Sequence, residues 1–276
     1  MQKIAFIGGG NMATALIAGL REQAQMHVVD LNTEALARLS AQYGVSTATA
    51  IDQQIAAYSV VVLAVKPQQM AEVAKQLAAF LQPNHLVLSI AAGIRVVDLC
   101  RWLGGHAAIV RCMPNTPALI GQGMTGMFAA EQVSQDQRVM AQSIMQAVGQ
   151  TLWLAREELI DAVTALSGSG PAYVFYFMEA MQQAGQALGL SGEQALLLAQ
   201  QTFVGATQLA CNATEPLALL RERVTSKGGT THAALSSMQQ DQVGPAIITA
   251  VKAAAKRGQQ MGEEFGAEHG GKTWQH

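Results

Sequence analysis

The stretch "AFIGGGNMATAL" (5–16) joins a short apolar run to a helix-like segment through three consecutive glycines. Gly8, Gly10 and Ala13 form the pattern G-x-G-x-x-A. In this pattern the first glycine permits a tight turn, the second lets the backbone approach a pyrophosphate, and the alanine lets the helix lie close to the strand. A lone pattern of this kind also fits an ordinary tight turn, but here a second strand-like run, "MHVVD" (26–30), follows the helix. The stretch therefore predicts a dinucleotide-binding unit, with the amides at the start of the helix facing an anion.

The residues around this unit continue the alternation of short β-branched runs and amphipathic segments. Strands are predicted for "KIAFIG" (3–8), "MHVVD" (26–30), "SVVVLAV" (59–65), "HLVLSIA" (85–91), "AAIVRCMP" (107–114), "GMTGMFAA" (123–130) and "GQTLWLA" (149–155). Continuous apolar strands that are separated by helices indicate a parallel sheet covered on both faces. We therefore predict an α/β fold in which residues 1–156 form a Rossmann domain that binds NAD(P) on a doubly wound, mostly parallel sheet.

The strand signals stop in the second part of the chain. Residues 157–262 contain helix-like segments interrupted at glycine-rich points such as "SGSGP" (167–171) and "SKGGTT" (226–231). These segments are rich in alanine and poor in charge, which leaves apolar faces wider than one small bundle is expected to bury. We therefore predict an all-helical dimerisation domain over 157–262, whose helices pack against a second copy. The polar, glycine-rich segment 263–276 is expected to be a frayed tail.

Composition argues against several classes of protein. The chain has 276 residues, 13% of them charged, and its net charge of −2 argues against a nucleic-acid partner, which requires a basic surface. The longest apolar run, 59–65, is far shorter than the ~20 residues that span a bilayer. The N-terminus begins with a strand pattern rather than a signal peptide, and the three widely spaced cysteines are expected to be reduced thiols. We predict a cytoplasmic protein with no membrane segment and no metal site.

Asp30 bears on the choice of cofactor. It ends the second strand about twenty residues after Gly10, where an acidic side chain accepts hydrogen bonds from the adenosine ribose hydroxyls and repels a 2′-phosphate. No arginine follows it, since the next residues are Leu31 and Asn32. An alternative interpretation is that Asp30 is the N-cap of the next helix. The first interpretation favours NADH over NADPH.

Three further segments follow strands at the same carboxyl edge of the sheet, where ligands bind in such folds. They are "LAVKPQQM" (63–70), "SIAAGI" (89–94) and "MPNTP" (113–117). Lys66 either shapes the nicotinamide side of the cleft or is a solvated surface lysine, and Asn115 either contributes to the site or only forms a turn. The cofactor-binding residues that we predict are Gly8, Gly10, Asn11, Met12, Asp30, Ala64, Val65, Lys66, Pro67, Ala92, Gly93, Pro114 and Asn115.

The segment "TSKGGTTHAAL" (225–235) interrupts the helical half with glycines and hydroxyls, and a helix restarts after it. Its glycines expose amides, its hydroxyls add donors, and the following helix begins with its positive end there. These features suit an anionic ligand. The alternatives are an ordinary capped turn between helices and, for His232, a packing or capping role rather than that of an acid.

Six motifs together resemble the Δ1-pyrroline-5-carboxylate reductase family: "GGGNMATAL", "AVKPQ", "SIAAG", "MPNTPA", "SGSGPAYVF" and "VTSKGGTTHAAL". The resemblance runs from Lys3 to about Gly262 in the family's order and spacing. It implies an NAD(P)H-dependent enzyme that reduces pyrroline-5-carboxylate to proline, the last step of proline biosynthesis. It also implies a homodimer or a ring of dimers, built through the helical domain. Lys227 departs from the family, which often has proline there, and Asp30 with Leu31 replaces the Ser, Asn or Arg that many members carry.

The resemblance assigns roles within the loop Ser226–Thr231. In the family this loop holds the carboxylate of the substrate, which predicts a substrate site made of Ser226, Gly228, Gly229, Thr230 and Thr231. Thr231 matches the residue proposed to hydrogen-bond or protonate the imine nitrogen and is the predicted catalytic residue. A threonine is a poor acid by itself, so it is expected to relay a proton from water.

Two other functions remain open at this point. One is a different dehydrogenase with a Rossmann and a helical domain, acting on a 3-hydroxyacid or on another cyclic imine. Such enzymes usually place a catalytic lysine or histidine on a helix of the second domain, and no lysine after residue 156 has a neighbouring helper. The other is an NAD(H)-sensing module, which would not need the loop of glycines and hydroxyls in the helical half.

Overall fold

The computed structural model describes residues 2–267. Within them, the strands are β1 (Gln2–Ile7), β2 (Ala24–Val29), β3 (Ser46–Ala48), β4 (Val60–Leu63), β5 (Leu86–Ser89), β6 (Ile109–Met113), β7 (Gly123–Ala129) and β8 (Gly149–Trp153). The α-helices are α1 (Asn11–Leu20), α2 (Thr33–Tyr43), α3 (Met70–Ala78), α4 (Val96–Trp102), α5 (Gln135–Gln146), α6 (Leu159–Val163), α7 (Gly170–Ala187), α8 (Gly192–Asn212), α9 (Leu217–Arg223), α10 (Thr230–Gln240) and α11 (Val243–Ala267). Short 3-10 helices at Gln53–Ala57, Pro67–Gln69 and Thr116–Ile120 and a π-helical turn at Thr164–Gly168 complete the elements.

The strands form one sheet in the order β3-β2-β1-β4-β5-β6-β7-β8. Strands β1 to β6 are parallel, whereas β7 is antiparallel to β6 and parallel to β8. This confirms the predicted mostly parallel, doubly wound sheet. The direction of winding reverses between β1 and β4, and ligands bind at such a switch point in open α/β sheets. Only β3 was not predicted, because it is a three-residue edge strand without a buried apolar run.

The sheet is buried on both faces, as its continuous apolar strands predict. In β1, Ile4 and Phe6 belong to one apolar cluster, while Ala5 and Ile7 belong to the other. This division follows from the two-residue period of a strand, which sends successive side chains to opposite faces. The first cluster includes residues of α1, α2 and α5, and the second includes residues of α3 and α4. The helices therefore cover both faces and leave the strand ends free for a site.

The C-terminal end of α11 differs from the sequence prediction. The frayed tail predicted over 263–276 was wrong for residues 263–267, which continue the helix to Ala267. Phe265 packs against the second apolar cluster, and its ring lies close to Gly93 after β5. This packing of a partly buried aromatic ring stabilises the last turn of the helix. The rest of the predicted tail, 268–276, lies outside the described residues.

The chain divides into two compact units. Among the described residues, the first unit comprises 2–169 and 254–267, and the second is Gly170–Ala253. Helix α6 packs on the sheet, since a Cβ on Gly126 of β7 would lie 2.7 Å from Val163. The compact first unit therefore extends past residue 156, the end predicted for the Rossmann domain.

The second unit has almost no core of its own. Helices α7, α9 and α10 bury no residue, and α8 buries only Ala195 and Ala199. Large apolar side chains on α7 and α8 are exposed instead, including Phe175 at 64% and Leu197 at 64%. Across residues 2–267, no helix combines the length and apolar character that crossing a bilayer requires.

Candidate functional site

A cavity of about 650 Å³ opens at the carboxyl ends of β1, β2 and β4, at the switch point of the sheet. Adjacent parallel strands end at the same edge, so residues far apart in sequence meet there. The cavity is lined by Ile7, Gly8, Gly10, Val29, Asp30, Leu31, Asn32, Thr49, Ala50, Ile51, Ala64, Val65, Lys66, Gln69, Glu72, Val73 and Gln76. It contains six of the residues predicted to bind the cofactor, namely Gly8, Gly10, Asp30, Ala64, Val65 and Lys66.

The two glycines of the fingerprint have the geometry that their roles require. Gly8 has a φ of +105°, and a Cβ there would lie 2.7 Å from the carbonyl oxygen of Ala64. Its amide donates a 2.8 Å hydrogen bond to the carbonyl of Val29, which ties the turn to β2. A Cβ on Gly10 would meet no atom of residues 2–267 within 4 Å, so this part of the backbone is accessible to a ligand. Gly8 thus shapes the turn, and Gly10 gives access to the backbone.

The start of α1 offers free amides beside Gly10. Gly10 is the N-cap, no side chain caps the helix, and its first turn has no acidic residue. The first intrahelical bond runs from the Thr14 amide to the Gly10 carbonyl at 2.9 Å, so the amides of Asn11, Met12 and Ala13 have no partner within the helix. Together with the helix dipole, such amides favour an anion. This donor set fits the pyrophosphate of a dinucleotide.

Asp30 lies beside this turn and is not a helix cap. Its carboxylate accepts hydrogen bonds from the amides of Gly9 at 2.6 Å and Asn32 at 2.8 Å. The N-cap of α2 is Asn32, whose side chain accepts from the amide of Ala35. The alternative interpretation of Asp30 as that N-cap was therefore wrong. A carboxylate has about four acceptor positions, so two remain available to hydroxyl groups of a ligand.

Some predicted cofactor residues lie elsewhere. Gly93 has a φ of +75° and faces α11, since a Cβ there would lie 3.1 Å from the Cβ of Met261. The side chain of Asn115 donates to the carbonyl of Ser167 at 3.2 Å and accepts from the amide of Met124 at 2.9 Å. It thus links β7 to the π-helical turn. The predicted residues outside the cavity lining are Asn11, Met12, Pro67, Ala92, Gly93, Pro114 and Asn115.

One wall of the cavity was missed from the sequence. It is formed by Gln69, Glu72, Val73 and Gln76, at the start of α3 and just before it. Residues spaced by three or four positions share one face of a helix. That spacing, directly after the strand end "LAVKP", was the signal that would have identified them.

The loop Ser226–Thr231 belongs to the second unit and contains a β-turn. The amide of Gly229 donates to the carbonyl of Ser226 at 3.0 Å, and Gly228 has a φ of +75°. A positive φ at the third position of such a turn calls for glycine. Lys227 occupies the second position, where proline is favoured, so the turn forms here without the residue that the family often has.

Helix α10 begins directly after this turn. Gly229 is its N-cap, no side chain caps it, and its first turn has no acidic residue. The Ala233 amide donates to the Gly229 carbonyl at 3.0 Å, so the amides of Thr230, Thr231 and His232 have no partner within the helix. A Cβ on Gly229 would collide with the hydroxyl of Ser226. The loop thus combines hydroxyls with amides that have no partner within the helix, a set of hydrogen-bond donors that suits an anion.

The chain matches two families along its length. Residues 157–261 match the family described as "Pyrroline-5-carboxylate reductase dimerisation". Residues 3–93 match the family described as "NADP oxidoreductase coenzyme F420-dependent".

Individual relatives agree with these matches. The pyrroline-5-carboxylate reductase of Pseudomonas aeruginosa is 47% identical over 257 residues, which cover 92% of this chain and 94% of the relative. A solved pyrroline-5-carboxylate reductase from Coxiella burnetii has a TM-score of 0.87 at 40% identity and covers 94% of this chain and 97% of its own. A Plasmodium falciparum pyrroline carboxylate reductase with NADP bound has a TM-score of 0.84 at 27% identity and covers 95% of this chain and 98% of its own.

Proposed function

The chain belongs to the pyrroline-5-carboxylate reductase family, and we propose on that basis that it reduces 1-pyrroline-5-carboxylate to L-proline with NAD(P)H, the last step of proline biosynthesis. The observation that carries this proposal is the 47% identity to a pyrroline-5-carboxylate reductase across 92% of the chain. The starts of α1 and α10 support it, because each has a glycine N-cap and no side-chain cap. The reaction needs one such anion site for a dinucleotide and one for a carboxylate. Neither another dehydrogenase nor a sensing module is favoured by these relatives.

The residues of the cavity at the switch point would hold the cofactor. The amides at the start of α1 bind the pyrophosphate beside Gly10, and the remaining acceptor positions of Asp30 bind the adenosine ribose. Bound there, NAD(P)H supplies a hydride from its nicotinamide. The charge of Asp30 disfavours a 2′-phosphate, so NADH is the preferred cofactor.

The loop Ser226–Thr231 would hold the substrate. Its free amides, together with the hydroxyls of Ser226 and Thr230, bind the carboxylate of pyrroline-5-carboxylate. The Thr231 hydroxyl hydrogen-bonds the imine nitrogen and passes it a proton from water. Because a protonated imine is already electrophilic, the main task of these residues is to orient the ring for hydride transfer.

We further propose that the protein is a homodimer, from which a ring of dimers can be built. The exposed apolar side chains of the second unit need a partner, and a cavity of about 340 Å³ between Tyr176 of α7 and Ile247 of α11 has an almost wholly apolar lining. A second copy supplies the missing contacts. The free thiols of Cys100, Cys112 and Cys211 agree with a reducing compartment such as the cytoplasm.

A spectrophotometric assay tests the activity. Purified protein is mixed with pyrroline-5-carboxylate and either NADH or NADPH, and proline is quantified at the end. We expect cofactor oxidation that depends on the substrate and matches the proline formed. Turnover of other cyclic imines or of a 3-hydroxyacid, with no proline formed from pyrroline-5-carboxylate, would contradict the proposal.

A further inference from the structure

We propose that Glu72 is a second residue that selects against a 2′-phosphate on the cofactor, besides Asp30. This inference rests on the proposed binding of NAD(P)H in the cavity at the switch point. It concerns the wall of the cavity that α3 forms. The glycine fingerprint and Asp30 at the end of β2 lie on other elements and do not explain why α3 carries a carboxylate there.

Glu72 lies in the first turn of α3 and lines the same cavity as Asp30. The Nε2 of Gln76, one turn later, donates a 3.3 Å hydrogen bond to its carboxylate. Both residues belong to the helix face that forms the wall. The position in the first helical turn also favours a negative charge there. Glu72 is exposed to solvent and lies on the helix face that lines the cavity.

The other charges around the cavity determine how strongly the Glu72 carboxylate can repel a 2′-phosphate. Among residues 2–267, the charged residues in its lining are Asp30, Glu72 and Lys66, and the lining contains no arginine. Leu31 and Asn32, which follow Asp30, supply no cation either. A 2′-phosphate brings nearly two negative charges into a site whose net charge is already negative. It would be repelled by two carboxylates rather than by one.

Asp30 and Glu72 should have different effects on binding. Asp30 is placed to accept hydrogen bonds from the ribose, so its loss weakens NADH as well as admitting NADPH. Glu72 acts only through its charge, so its loss should affect NADP(H), which carries the additional 2′-phosphate, more than NAD(H). Because the cavity is open to water and salt screens charges over ~10 Å, the effect should be a modest one, roughly two- to fivefold.

Calorimetric titration of the full-length protein with NAD⁺ and NADP⁺ tests this inference without relying on activity. Glu72→Gln keeps the size and the hydrogen-bonding capacity of the side chain and removes only its charge. Glu131→Gln removes the same charge from an exposed glutamate outside the cavity lining and is the matched control. We expect Glu72→Gln to lower the Kd of NADP⁺ about two- to fivefold at low salt, less at high salt, and to change the Kd of NAD⁺ by a smaller factor. Glu131→Gln should change neither Kd.

Three results would overturn the inference: an unchanged Kd for NADP⁺ in Glu72→Gln, equal changes for both dinucleotides, or the same change in Glu131→Gln. A failure of the proposed function looks different. If the wild-type protein binds neither dinucleotide, the cavity is not the cofactor site and the inference falls with it. If it prefers NADP⁺, the proposed preference for NADH is wrong. The ratio of the Kd of NADP⁺ in Glu72→Gln to that in the wild type still decides the role of Glu72.

Discussion

The carboxylate of Asp30 joins two turns of the candidate cofactor site, because it accepts the amide of Gly9 at 2.6 Å while its other oxygen accepts the amide of Asn32 at 2.8 Å. One side chain therefore fixes the glycine turn after β1 relative to the start of α2. It also lines the cavity into which a ribose would fit. Substitution of Asp30 should thus act on both the shape and the charge of the site.

The first prediction concerns cofactor preference. Asp30→Ser should lower kcat/KM for NADH about ten- to a hundredfold, since charged hydrogen bonds contribute ~1.5–3 kcal/mol each. It should raise kcat/KM for NADPH, because a repelling charge is removed. Asp52→Ser is the control: Asp52 accepts the amide of Gln54 at 2.8 Å in a similar turn but does not line the cavity. If the ratio of kcat/KM for NADH to kcat/KM for NADPH is the same in Asp30→Ser and in the wild type, Asp30 does not bind the ribose.

Three of the residues predicted to bind the cofactor lie together because parallel strands that are neighbours in the sheet end at the same edge. Gly8, Asp30 and Lys66 follow three different strands, yet all three line one cavity. The periodicity of the apolar runs identified those strands. Because parallel strands have their carboxyl ends at the same edge of the sheet, residues directly after them were predicted to lie together.

The residues predicted at the ends of β5 and β6 do not line this cavity among the described residues. Gly93 is covered by α11, whose residues lie about 170 positions later in the chain, and Asn115 is used by β7 and by the π-helical turn. A position at the end of a strand does not indicate which later element packs over it. Such long-range contacts are not encoded in local patterns, so they could not be predicted from the sequence.

A second prediction concerns assembly. The second unit exposes Phe175 at 64%, Tyr176 at 70% and Leu209 at 61%, which is unfavourable for a monomer in water. Sedimentation equilibrium at micromolar concentration should give the mass of a dimer or of a multiple of it. The assembly should persist at high salt, because apolar contacts are not screened. A stable monomer would refute the proposal that the helical unit is a dimerisation domain.

A third prediction concerns pH and the buried residue His85. Burial lowers the pKa of His85 below its usual 6.5, opposed in part by a hydrogen bond to the backbone of Ala56. Its Nδ1 accepts the amide of Gln82 at 3.0 Å, which requires the neutral ring. Below pH 6.5 the unfolded chain binds a proton that the folded chain does not, so stability is retained above this pH and lost as the pH falls below it.

Denaturant titrations at pH about 7.5 and about 5.5 measure this loss, which for one histidine is at most ~1.4 kcal/mol because pH 5.5 lies only one unit below the pKa of the unfolded chain. In His85→Asn the side-chain oxygen can still accept the Gln82 amide, but no proton is taken up. The variant should therefore lose less stability than the wild type between the two pH values. An equal loss in both proteins would show that His85 does not cause the pH dependence.

A fourth prediction separates two roles of Thr231. This residue is partly buried in the first turn of α10, and Thr231→Ala removes its hydroxyl while the amides remain. It should lower kcat more than it raises KM, because the lost hydrogen bond matters most as the charge on the imine nitrogen changes. A loss of ~1–3 kcal/mol corresponds to roughly a ten- to hundredfold lower rate. Thr231→Ser should restore most of the rate, whereas full kcat in Thr231→Ala would mean that bound water alone serves the nitrogen.

The most direct measurement for the central claim is inhibition by proline in Gly229→Val. Proline has the same carboxylate on a five-membered ring, so it should compete with pyrroline-5-carboxylate in the wild type. A side chain at Gly229 would collide with the Ser226 hydroxyl and block the approach of a carboxylate.

The matched control is Gly189→Ala, which changes a glycine with φ +98° in the turn between α7 and α8, outside the loop. We predict that Gly229→Val raises KM for pyrroline-5-carboxylate and abolishes competition by proline, whereas Gly189→Ala keeps both near the wild-type values. Normal binding of substrate and proline by Gly229→Val would contradict the account, because the carboxylate would then be held elsewhere and the loop would be only a turn.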